Sequence, residues 1–159
     1  IKAGLMLGGR YGEGFVLRYD SESERWYGPY FVEIKGLSYG LQFGVQSTSL
    51  VLVITNKQGI ESFKGDKVTL GGDLSIAAGP MGRRAEAATD LDLKASIYSY
   101  SMSKGIFAGM SLEGAVISAH DKNNESYWGE LMSADEMLDT PAKGSRIRRL
   151  TEELSALAN

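Results

Sequence analysis

The sequence predicts a mainly β fold: a curved, glycine-rich antiparallel sheet or barrel-like core, with short edge helices and a C-terminal helix. Three observations carry that expectation. Twenty glycines stand against three prolines in 159 residues, a balance that favours bent sheets over a helical bundle. From Gly36 to Gln46 the bulky residues Leu37, Tyr39, Leu41, Phe43 and Val45 alternate with Gly36, Ser38, Gly40, Gln42, Gly44 and Gln46. That is the period of two of an extended strand. Leu50 to Ile54 is apolar at every position, which predicts a strand covered on both faces at the centre of the core. An interior strand glycine costs roughly 0.5 to 1 kcal/mol relative to alanine. Gly36, Gly40 and Gly44 therefore predict a bend, or a close approach by other backbone or a ligand.

Taken in order, Ala3 to Gly9 and Gly14 to Tyr19 read as two strands of a hairpin turning through Arg10, Tyr11, Gly12 and Glu13. Asp20 to Arg25 is charged and reads as a solvent loop, and Trp26 to Lys35 is aromatic and β-branched, leading into the Gly36 strand. Asn56 is placed to cap a short helix from Lys57 to Lys64, with Ile60 and Phe63 as its apolar stripe. Val68, Leu70, Leu74, Ile76 and Ala78 alternate with small or polar residues and predict one further strand. Gly79 to Gly82 is a turn, and Arg83 to Asp92 reads as loop or irregular strand. Leu93 to Ser101 and Gly105 to Ser118 predict a hairpin around Ser103, Lys104 and Gly105. A turn of helix is expected at Glu125 to Trp128, and Ser133 with Glu136 has capping-box spacing. From Ser145, residues Ile147, Leu150, Leu154 and Leu157 fall on one side of a final helix, opposite Arg146, Arg148 and Arg149.

The chain has the size of a single domain, 1–159, large enough to need no covalent staples. It contains no cysteine, which excludes disulfides and zinc–thiolate sites and leaves the redox compartment open. A net charge of −3 gives no global argument for nucleic acid. No apolar run approaches the eighteen or so residues of a membrane-spanning helix. The chain opens on Ile1, so an upstream segment is expected, for which a removed signal sequence, a lipoprotein anchor or a trimmed start would each account.

Catalytic and metal signatures fail on inspection. His120, the single histidine, has no cysteine to pair with and reads as a structural residue beside Asp121. Asp121 to Glu125 starts like a calcium loop, but Ser126 stands where glycine is needed and Met132 where a bidentate glutamate belongs. Ser101 and Lys104 have Ser-x-x-Lys spacing, yet that chemistry needs a helix and the pair falls on a strand and turn. Asp90 and Asp92 read as solvated carboxylates, and Gly9 to Gly14 lacks the order and context of a phosphate loop. No enzyme, cofactor or metal is expected. What the turns do carry is basic: Arg83, Arg84, Lys94 and Lys104, with Lys2 and Arg10 as neighbours, are candidates for an anionic head-group patch. The competing reading is solvated charge balanced by Glu86, Asp90 and Asp92. At about 1 kcal/mol per basic residue near an anionic membrane, four give about 4 kcal/mol, or roughly millimolar affinity. Stable attachment then requires a second contact, such as an inserted helix or a lipid anchor.

Lys2-Ala3-Gly4, Gly8-Gly9-Arg10, Leu50 to Val53, Val68 to Gly71, Ala77 to Arg83 and Ile97 to Ser101 together resemble successive motifs of the SYLF domain family. Ser103 to Gly109, Ser111 to Gly114, Tyr127-Trp128-Gly129 and the helix begun at Ser133 continue the resemblance over nearly the whole chain. It implies a non-enzymatic, lipid-binding module for anionic phospholipid or phosphoinositide head groups at a membrane surface. The alternative it implies is a protein-interaction or scaffold domain, actin-binding or envelope-assembling. Single-domain bacterial members are envelope or secreted proteins, often lipoproteins, and a chain of this size looks like that kind; otherwise a peripheral membrane location is implied. Lys2, Arg10, Arg83 and Lys104 fall inside the matching motifs, and Arg84 and Lys94 are added by proximity in sequence. The amphipathic helix that precedes the Lys-Ala-Gly motif in the family does not lie within this chain.

Overall fold

A computed structural model of the chain describes residues 9–37, 49–65, 67–80, 95–103, 106–109 and 112–158. Its elements are β1 (Gly9–Asp20), β2 (Arg25–Leu37), β3 (Ser49–Ile54), α1 (Lys57–Phe63), β4 (Lys67–Thr69), β5 (Ile76–Ala78), β6 (Ile97–Ser103), β7 (Ile106–Gly109), β8 (Val116–Ala119), α2 (Asp121–Trp128), α3 (Ala134–Leu138) and α4 (Ser145–Ala158). One sheet has the order β1-β2-β8-β4, the other β3-β6-β5 with β7 also joined to β6. Mainly β structure with antiparallel pairing, short helices and a terminal helix is thus as expected. The barrel is not: two separate four-stranded sheets form among the described residues. The chain divides into two compact units, Ile1–Gly12 with Ile34–Ser118, and Glu13–Glu33 with Ala119–Asn159.

In the first unit β6 is the central strand. It pairs antiparallel with β3, Leu52 opposite Ser99, and with β7, Ser101 opposite Ala108. On the β7 side it also pairs parallel with β5, Ile76 opposite Ile97. Ile97, Leu70, Leu74 and Val68 are its fully buried large residues. The core therefore does not centre on Leu50–Ile54. In β3 exposure alternates, and Val51 and Val53 are each 46% exposed, so the uninterrupted apolar run has one covered face and one open one. The strand expected from Val68 to Ala78 is likewise two strands. Gly71 has φ +88°, a conformation that only glycine adopts readily. Around it the chain folds back, Gly71 N–H donating to the Leu74 carbonyl at 2.7 Å and Asp73 accepting from Thr69 N–H at 2.9 Å. The hairpin of β6 and β7 forms as expected, with Ile106–Gly109 of the second arm among the described residues, but β8 is a separate strand paired with β4. The Asn56 cap is present, its side chain accepting from Gly59 N–H at 2.8 Å. Most of the period-two stretch, residues 38–48, lies outside the described residues.

A close approach of the kind expected at strand glycines occurs at Gly79. Its N–H donates to the Ser99 carbonyl at 2.9 Å, and a Cβ built there would clash with the Cζ end of the Tyr100 ring, whose hydroxyl donates to the Pro80 carbonyl at 3.1 Å. The ring fills the space that a side chain would take. Gly79→Ala is expected to cost about 1 to 3 kcal/mol, the usual penalty of overpacking, and Tyr100→Ala in the same chain should relieve most of that clash. Urea denaturation of the two single variants and the double checks this.

The second unit contains the turn end of the β1–β2 hairpin, residues 13–33. The turn is not at Arg10–Glu13, which lie inside the continuous strand β1, but at residues 21–24. Asp20 closes it, accepting from the Ser23 hydroxyl at 2.7 Å and from Glu22 N–H at 3.2 Å. The Ser23 hydroxyl foremost, and then the Glu22 amide, hold the Asp20 carboxyl below its ordinary value. A lowered carboxyl pKa stabilises the folded chain above the unfolded value and is lost as pH falls through the folded one. Ser23→Ala is expected to move the Asp20 titration midpoint upward in a carboxyl NMR titration.

Candidate functional site

Of the six cations proposed for a head-group patch, Lys2, Arg83, Arg84, Lys94 and Lys104 lie outside the described residues. Arg10 is placed only as a backbone position in β1. Ser101 is on strand β6, without the helical context that Ser-x-x-Lys chemistry needs. Asp121 to Glu125 forms the first turns of α2 where a calcium loop would have been. Among the described residues no group of three or more His, Asp or Glu side chains is placed to hold a metal ion. His120 has a structural role: its Nδ1 accepts from Asn123 N–H at 3.2 Å as the cap of α2, and its Nε2 lies 3.3 Å from Glu13.

What the second unit displays is aromatic and basic surface on a hydrogen-bonded base. The base is held by Asn124, 3% exposed, which clamps the backbone of Phe31. Its Oδ1 accepts from Phe31 N–H at 2.7 Å and its Nδ2 donates to the Phe31 carbonyl at 2.8 Å. Phe15 meets Phe31 edge-on at 5.9 Å, Phe31 meets Tyr127 at 5.5 Å, and Tyr127 meets Trp128 at 5.1 Å. Trp128 Nε1 donates to the Pro29 carbonyl at 3.1 Å and the Tyr127 hydroxyl donates to the Lys143 carbonyl. Burial pushes the Tyr127 hydroxyl pKa upward. Phe15 and Tyr127 remain exposed, as does Leu131 at 71%.

A second cluster lies toward the hairpin turn. Tyr19 packs on Trp26 at 4.8 Å, and the Trp26 indole donates to the Ser155 hydroxyl of α4 at 2.9 Å. Arg18 stacks on Tyr27 at 4.2 Å while its Nε donates to the Leu138 carbonyl at 2.9 Å. That is a cation at the negative end of α3, whose start carries the full capping box of Ser133 and Glu136. An open groove of about 470 Å³ is lined by Glu24, Arg25, Trp26, Pro141, Thr151 and Glu152, among others. Along α4, Ile147 is buried and Leu154 half-buried, while Leu150 is 36% exposed. The helix is thus rotated slightly from the face its apolar pattern predicts. Lys143, Arg146, Arg148 and Arg149 are all exposed at its start. The contact of Phe31 with Tyr127 was not visible in the sequence, because the partners lie 96 positions apart; the arginines were.

Compared with known proteins, residues 35–157 match the Ysc84 family, described as Las17-binding protein actin regulator. The chain is 35% identical over 144 residues to the human SH3 domain-containing YSC84-like protein 1, covering 89% of this chain and 42% of that protein. It is 40% identical over 136 residues to an SH3 domain-containing protein of Schizosaccharomyces pombe, covering 82% and 31%. To LAS seventeen-binding protein 3 of Saccharomyces cerevisiae it is 33% identical over 141 residues, covering 87% and 30%. The chain belongs to the Ysc84, or SYLF, family. It spans between about a third and two-fifths of the length of these relatives. No solved structure matches it.

Proposed function

We propose that the chain is a non-enzymatic protein-interaction module of the actin-regulating kind. The observation that carries this is family membership over most of its length, in a family described as Las17-binding and actin-regulating. A yeast relative bears a name for binding that partner. The surface supports such a reading: exposed aromatic side chains, and arginines exposed on a helix, are residue types that anchor protein interfaces. Cosedimentation with actin filaments in lipid-free buffer tests it, saturable pelleting being the expected result.

The head-group reading stands beside it as a separate proposal, resting on the family resemblance and on Lys2, Arg10, Arg83, Arg84, Lys94 and Lys104. It predicts pelleting with anionic but not neutral vesicles, weakened by salt. Equal pelleting with both vesicle types removes its electrostatic basis.

A further inference from the structure

We infer that the basic start of α4, Lys143, Arg146, Arg148 and Arg149, is the contact surface for an acidic protein partner. The inference rests on the protein-interaction reading and names the chemistry of the partner. All four side chains are exposed. Among the described residues none of them enters an ion pair, although Glu152 and Glu153 follow Arg148 and Arg149 at four-residue spacing on the same helix.

Their position works against the helix. Arg146 and Arg148 stand in the first turn of α4, which has no acidic residue, and the last turn has no basic one, so the cations sit at the end that the helix dipole disfavours for them. Arginine preceding glutamate by four residues is also the weaker order for a pair along a helix. Local stability therefore does not explain why the cations are gathered here, and a partner carrying the opposite charge does.

The angular placement distinguishes a protein from a membrane. At about 100° per residue, Arg146 and Arg149 lie about 60° apart on one flank and Arg148 about 160° from Arg146. A flat membrane meets one flank and leaves Arg148 aside, and the apolar residue available for insertion there is Leu150, itself only 36% exposed. A concave protein surface reaches both flanks, and its carboxylates can take each guanidinium in a two-point hydrogen-bonded pair.

The test uses the full chain and two triple variants, R146E/R148E/R149E and R146Q/R148Q/R149Q. Each is sedimented with actin filaments, an acidic polymer, and separately with phosphatidylserine vesicles, while its melting temperature is recorded. The glutamate variant is expected to melt no lower than the parent chain, because acidic side chains suit the first turn. It should also bind filaments about tenfold or more weakly, with the glutamine variant in between. Filament binding by both variants at parental strength overturns the inference and leaves the protein-interaction reading intact. Loss of vesicle binding with filament binding unchanged overturns it in favour of a membrane. A parent chain that does not bind filaments at all refutes both.

Discussion

Asn124→Leu is expected to destabilise the chain by about 2 to 4 kcal/mol. Two hydrogen bonds to the Phe31 backbone are lost: the one to the carbonyl is worth about 1 kcal/mol net, and the one from the N–H, which is left without its acceptor, costs about 1 to 3 kcal/mol. The Phe31 carbonyl keeps His120 N–H at 3.0 Å, so the donor side of the clamp matters less than the acceptor side. Asn124→Asp, which retains the acceptor, should therefore lose less than the leucine variant. The midpoint of urea unfolding is the measurement. A leucine variant within about 1 kcal/mol of the parent would show that Phe31 does not depend on Asn124.

Ile97→Ala is expected to cost about 2 to 5 kcal/mol, and Ile97→Val about 0.5 to 1.5 kcal/mol. Ile97 is 0% exposed and stands on the central strand, between Ile54 of β3 and Ile76 of β5. By contrast Val51→Thr, on the open face of β3, should fall within about 0.5 kcal/mol of the parent, as exposed substitutions do. Equal losses at positions 97 and 51 would return the core to the Leu50–Ile54 run, where the uninterrupted apolar pattern places it.

The contrast between these sites shows which parts of the fold are legible in the chain. Signals whose partners are three residues away were readable: Asn56 with Gly59, and Ser133 with Glu136, form the caps their spacing predicts. The same holds for the β6–β7 hairpin and the terminal helix. Patterns that depend on what lies across the sheet were not. An uninterrupted apolar run does not reveal that Val51 and Val53 face outward. The alternation from Val68 to Ala78 conceals the fold-back at Gly71. Asn124, in a stretch that begins like a calcium loop, is a backbone clamp on a strand 93 positions away. Of the surface proposed from sequence, the six head-group cations are placed at most as backbone, whereas the arginines of α4 are described and exposed.

The proposed role of the chain as a protein-binding module is tested most directly by a lipid-free titration with actin filaments, reading the fraction pelleted. The expected result is saturable binding that weakens as salt rises and is unchanged by neutral vesicles. A chain that stays in the supernatant with filaments, yet pellets with phosphatidylserine vesicles, would contradict it.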